Sequence, residues 1–133
     1  MLLVLVGSAA ALLMGTAANA PIRAFDRIEA GQWQLRALDG STPVRRLCID
    51  DGYDLIQLRH PGAACSRFVL ANEPQTATVH YTCAGVGYGR TTIRVETPQL
   101  VHIDSQGLVN RAPFQIALEG RRVGKCELEH AAR

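Results

Sequence analysis

Cys65-Ser66-Arg67-Phe68-Val69-Leu70-Ala71-Asn72-Glu73-Pro74-Gln75-Thr76-Ala77-Thr78-Val79-His80-Tyr81-Thr82-Cys83 reads as a β-hairpin. Two runs rich in β-branched and aromatic residues, Cys65–Ala71 and Gln75–Cys83, flank the turn residues Asn72-Glu73-Pro74. Folding the chain about Pro74 sets residues opposite one another when their numbers sum to 148. Val69 then faces Val79, Arg67 faces Tyr81, and Cys65 faces Cys83. Opposed positions in an antiparallel pair bring Cβ atoms close enough for a disulfide. The expectation is a stapled hairpin around which the rest of the chain packs.

The chain holds four cysteines, Cys48, Cys65, Cys83 and Cys126. An even number in a short exported chain favours disulfides over free thiols. With Cys65–Cys83 set by the hairpin, Cys48–Cys126 follows by elimination. In the chain-entropy account the shorter loop contributes about 3 kcal/mol and the longer about 4 to 5 kcal/mol. Together these are comparable to the whole stability of a small domain.

Export is the reading of the first residues. Met1–Ala20 has no charged residue, carries apolar runs at Leu2–Val6 and Ala9–Met14, and ends in Ala18-Asn19-Ala20. That pattern predicts a signal peptide over residues 1–20, cut after Ala20 or after Ala18. The run is interrupted by Gly7-Ser8 and Gly15-Thr16 and is short for a membrane span, so no stable span is expected after processing. The expected location is the periplasm or the outside of the cell.

The remaining 133 − 20 = 113 residues, 21–133, form one domain by length. They carry all 14 basic and 12 acidic residues, a net charge of +2 with the signs interspersed. No basic stripe appears, so nucleic acid is not an expected partner.

Along this part, Gln32–Leu38 alternates, with Trp33, Leu35 and Ala37 on one face. Asp39-Gly40 begins a turn, and Val44–Ile49 returns as its partner strand. Asp50 or Asp51 caps the one helix signal, two to three turns holding Tyr53, Leu55, Ile56 and Leu58 and stopping at His60-Pro61-Gly62. Arg23–Glu29 suits a single helical turn. Further strands are expected at Thr91–Glu96, at Leu100–Asp104 and after Pro113, where Phe114, Ile116 and Leu118 alternate with polar neighbours. Ser105-Gln106-Gly107 reads as the turn between the last two. About seven short strands separated by turn residues predict a mainly β fold, an antiparallel meander or partly closed barrel with one short helix and two disulfides.

Candidate chemistry is sparse. Gly85-Val86-Gly87-Tyr88-Gly89 lacks the glycine spacing and the following helix of a dinucleotide loop, and reads as a tight turn or bulge. His60, His80, His102 and His130 show no metal-ligand spacing, and the thiols are better used as disulfides, so all four read as surface histidines. Ser41, Ser66 and Ser105 sit in or beside turns, outside any nucleophile-elbow context. Asp50, Asp51 and Asp54 gather three carboxylates that a hydrolase could use, but not at calcium-loop spacing; at a helix start they act as caps. No catalytic, cofactor-binding or metal residue is assigned, and the protein is expected not to be an enzyme. A curled sheet would line a trough with Trp33, Leu35, Ile93, Val95, Phe114, Ile116 and Leu118. That trough is either filled by the segment carrying Leu55 and Ile56 or left to hold an apolar ligand.

Three landmarks carry a resemblance. Glu29-Ala30-Gly31-Gln32-Trp33-Gln34 resembles the P-G-x-W-E opening of the bacterial exported domain-of-unknown-function family 3617, with Ala30 where that family has Pro. The order Cys48, short helical segment, Cys65, Cys83 resembles the family's cysteine order. Gly120-Arg121-Arg122-Val123-Gly124-Lys125-Cys126 is similar to its closing G-x-R-x-G-x-C. The resemblance implies an exported, disulfide-held β fold and brings no activity and no functional residues. A second likeness is to periplasmic lysozyme inhibitors, through Val79-His80-Tyr81-Thr82-Cys83-Ala84-Gly85 and a Ser-Gly segment at Ser105-Gln106-Gly107 that lacks their nearby Tyr. The resulting expectation is a non-enzymatic envelope domain whose partner is an apolar small molecule or an envelope protein. A lysozyme-inhibitor-like protein is the alternative.

Overall fold

The computed structural model describes residues 21–127; the expected signal peptide and His130 lie outside the described residues. Seven strands form one antiparallel sheet: β1 (Gly31–Ala37), β2 (Arg45–Ile49), β3 (Cys65–Asn72), β4 (Thr76–Cys83), β5 (Gly87–Thr97), β6 (Leu100–Val109) and β7 (Ala112–Gly124). Their order is β2-β1-β7-β6-β5-β4-β3. Strands β3 to β7 are therefore a meander, and the β1–β2 hairpin adds to its last strand. The sheet does not close, but it curls until both edge strands face one cleft, lined by Leu47 and Cys48 of β2 and by Cys65 and Arg67 of β3.

The hairpin register is the expected one at its stapled end: Cys65 pairs with Cys83, Arg67 with Tyr81 and Val69 with Val79. A bulge then shifts the pairing, so Ala71 faces Thr78 and Asn72 faces Ala77. Both disulfides form, Cys65–Cys83 with Cα atoms 4.2 Å apart and Cys48–Cys126 with Cα atoms 5.5 Å apart. The second fastens the chain beyond β7 to edge strand β2.

Period-2 burial follows from one face being covered. Trp33, Leu35 and Ala37 of β1 are buried, as are Thr91, Ile93 and Val95 of β5 and Val101, Ile103 and Ser105 of β6. Two short 3₁₀ turns cover this inner face, Arg23–Arg27 and Gly52–Leu55. Phe25 of the first meets Tyr53 of the second edge to face, centroids 5.1 Å apart. A Cβ on Gly52 would collide with the Phe25 ring, so the contact requires glycine there.

Two expectations are corrected. The segment after Asp51 makes only a single 3₁₀ turn, where two to three helical turns were expected. Leu55, Ile56, Leu58 and His60 are all buried, and residues two apart such as Leu58 and His60 do not share one face of a regular helix. The backbone instead changes direction, held by Gln57, whose amide donates to the carbonyls of His60 (3.0 Å) and Ala63 (2.9 Å). Ser105-Gln106-Gly107 is not a turn but part of β6, and the reversal falls at Asn110-Arg111, both with positive φ (48° and 71°). Two consecutive left-handed residues make the primed turn that suits a two-residue hairpin. Gly107 has a packing reason to be glycine inside a strand: it pairs with Gly89, and a Cβ on it would strike the Tyr88 carbonyl. Similarly, the Gly85–Gly89 stretch turns only at its start, with Gly87 and Gly89 already in β5.

Candidate functional site

Pairing places Tyr81, Gly89, Gly107 and Phe114 in one row across the inner face. The two glycines leave a lane in which the Tyr81 ring lies directly over Gly89. His60 fills the space between Tyr81 and Phe114, with ring centroids 5.3 and 5.9 Å away. It is not the surface histidine expected from the sequence but is almost fully buried. Its Nε2 lies 2.9 Å from the Leu108 carbonyl and its Nδ1 2.8 Å from the Tyr81 hydroxyl. A carbonyl only accepts, so Nε2 carries the proton and Nδ1 accepts from Tyr81. Burial pushes the Tyr81 phenol up, with Ser105 and the Arg59 charge opposing only in part.

Beside this row, the Thr91 hydroxyl donates to the Ile56 carbonyl (2.6 Å) and lies 2.8 Å from the Ser105 hydroxyl. Ser, His and Tyr are thus gathered, but Tyr81, His60, Thr91 and Ser105 are all buried, and both nitrogens of His60 are occupied. The cluster fastens the covering segment to the sheet.

The other sequence candidates disperse. Asp51 accepts from the Tyr53 amide (2.8 Å), and Asp54 accepts from the Asp50 (2.9 Å) and Asp51 (3.4 Å) amides, a reciprocal cap. His80 stacks on Tyr88 on the outer face, and His102 lies 3.7 Å from Glu96. Ser41 closes the Asp39 turn by donating its amide to the Asp39 carboxylate (2.9 Å); Ser66 is exposed at the edge of the sheet. Among the described residues no three His, Cys, Asp or Glu side chains gather as metal ligands, and no helix is long and apolar enough to cross a membrane.

The trough is filled at its centre. Trp33, Ile93 and Val95 pack with Leu55 and Ile56 in one continuous core. Its far end differs: Phe114, Ile116 and Leu118 are only half-buried. There a pocket of about 310 Å³ opens, with Leu35, Leu58, Ile116 and Leu118 as its apolar wall. Thr42, Pro43 and Val44 of the β1–β2 loop, together with Arg45 and Arg59, complete its lining. The volume lies at the small end of ligand pockets. Alternation had named Leu35, Ile116 and Leu118 as trough residues; the loop residues and both arginines carried no periodic signal.

Comparison with protein-family models, with curated proteins and with solved structures gives no match to this chain.

Proposed function

We propose that the mature chain is a periplasmic or secreted, non-enzymatic β-domain that binds an apolar small molecule in the pocket between Leu58 and the inner face of β7. The observation that carries this reading is that Leu35, Ile116 and Leu118 line a space that the described residues leave open. A concave space with mainly apolar walls and a few polar groups is the usual form of a small-molecule site. Export fits both disulfides, which persist in oxidising compartments, and it fits the resemblance to exported family 3617. The likeness to lysozyme inhibitors gains nothing from Ser105-Gln106-Gly107, which lies inside β6.

A neutral solvatochromic dye, Nile red, tests the reading. Fluorescence should rise and shift to the blue with the purified protein. Ile116→Trp, which fills the pocket from its wall, should abolish the change. A dye response equal in the variant, or absent from both proteins, overturns the proposal.

A further inference from the structure

Two arginines join the apolar residues that line the pocket. Arg45 pairs directly with Leu35, so its side chain stands on the inner face of the sheet. Arg59 lines the same pocket, and its guanidinium lies 5.6 Å from the centre of the Phe114 ring, a cation–π contact. The other arginines of the sheet divide: Arg36 and Arg121 lie against Glu119, Arg94 against Glu96 and Arg122 against Glu29, while Arg46, Arg67 and Arg90 form no ion pair among the described residues. Arg45 and Arg59 have no carboxylate within 4.0 Å among the described residues. The acidic residue of the neighbouring loop, Asp39, is engaged with the Ser41 amide.

Resting on the reading of this cleft as a binding pocket, we infer that its ligand is an anionic amphiphile: a short acyl chain against Leu35, Leu58, Ile116 and Leu118, with its carboxylate or phosphate held by Arg45 and Arg59. Apolar walls supply affinity without direction. Guanidiniums in the lining supply direction, because Arg presents forked donors that match both anions and form charge-assisted hydrogen bonds. The modest volume favours a medium chain over a long one.

Calorimetric titration with four probes of equal chain length, below their micelle thresholds, tests this: decanoate, decyl phosphate, decanol and decyltrimethylammonium. One or both anions should bind about tenfold or more tightly than decanol, and the cation more weakly still. Tighter decanoate identifies a free fatty acid as the natural type, and tighter decyl phosphate a phospholipid-like head; either supports the inference. The double variant Arg45→Gln/Arg59→Gln should reduce anion affinity to that of decanol. Equal binding of decanol and the anions overturns the inference while the pocket reading stands. Binding of none of the four overturns both. Anion binding that survives Ile116→Trp lies outside the pocket and overturns the inference. So does unchanged anion affinity in the double variant, which would leave Arg45 only the role of guarding an edge strand.

Discussion

The Tyr81 hydroxyl donates to Nδ1 of His60 across 2.8 Å in the buried end of the inner face, joining the covering segment to β4. Tyr81→Phe keeps the ring over Gly89 and removes only this donor. His60 then holds a buried acceptor with no partner, which costs about 1–3 kcal/mol. Urea unfolding should show a lower midpoint with an unchanged slope. A variant as stable as the parent would mean the hydrogen bond contributes nothing beyond packing.

The same phenol makes stability depend on pH at the alkaline end. Burial raises the Tyr81 pKa in the folded state, so folding favours the neutral form. That contribution is complete below the ordinary phenol value of about 10 and is lost as pH rises through the higher folded value. Phenolate absorbance should therefore include one of the three tyrosines titrating late, together with loss of structure. Tyr81→Phe should remove that late step.

Gly89→Ala should be among the more damaging single-methyl additions, because the new Cβ lands on the Tyr81 ring. Overpacking of this kind costs about 1–3 kcal/mol. Gly107→Ala should behave similarly, its Cβ meeting backbone of β5. Gly124→Ala, where a Cβ meets nothing within 4 Å, is the control and should be close to neutral. Thermal unfolding of the three variants checks the order.

The hairpin was legible because its information is local: period-2 alternation, one proline turn and cysteines at opposed positions. The bulge beyond Val69 was not, since nothing in Leu70 or Ala71 announces a change of register. Trp33, Leu35, Ile93 and Val95 were readable as core from alternation alone. His60 was misread because its partners, Tyr81 and Leu108, are 21 and 48 residues away, and beside Pro61 it looks like the end of a helix. Gly107 was misread for a related reason. A glycine needed for close approach between strands resembles a turn glycine until the residue opposite it, Gly89, is known. Leu35, Ile116 and Leu118 of the pocket were visible as strand residues, and most of the remaining lining comes from loops whose composition carries no period.

Removal of the two disulfides should have unequal effects. Cys48→Ser/Cys126→Ser opens a link across 78 residues, and Cys65→Ser/Cys83→Ser one across 18. Chain entropy assigns about 4 to 5 kcal/mol to the first and about 3 kcal/mol to the second. Denaturation midpoints should fall in that order. The intact protein should show no free thiol after denaturation without reductant, and peptide mapping should link Cys65 to Cys83. Equal losses would mean that the extended bridge gains little from its loop length, the result expected if the unfolded chain stays compact.

Thr91→Val separates the fastening of the covering segment from its apolar packing. The substitution keeps shape and removes the hydroxyl that donates to the Ile56 carbonyl and contacts Ser105. Both partners are then left without it in a buried site, at a cost of about 1–3 kcal/mol. The loss should be local as well as global, since Ile56 leads directly into Leu58-Arg59 and hence into the pocket wall. Amide exchange in residues 56–60 should quicken more than exchange in β5 and β6. Thr92→Val, on the opposite face where Thr92 contacts only the Thr78 hydroxyl among these groups, should leave that segment's exchange unchanged. If both variants speed exchange equally, the covering segment is held by its buried Leu55 and Ile56 side chains, and the Thr91 hydroxyl is incidental.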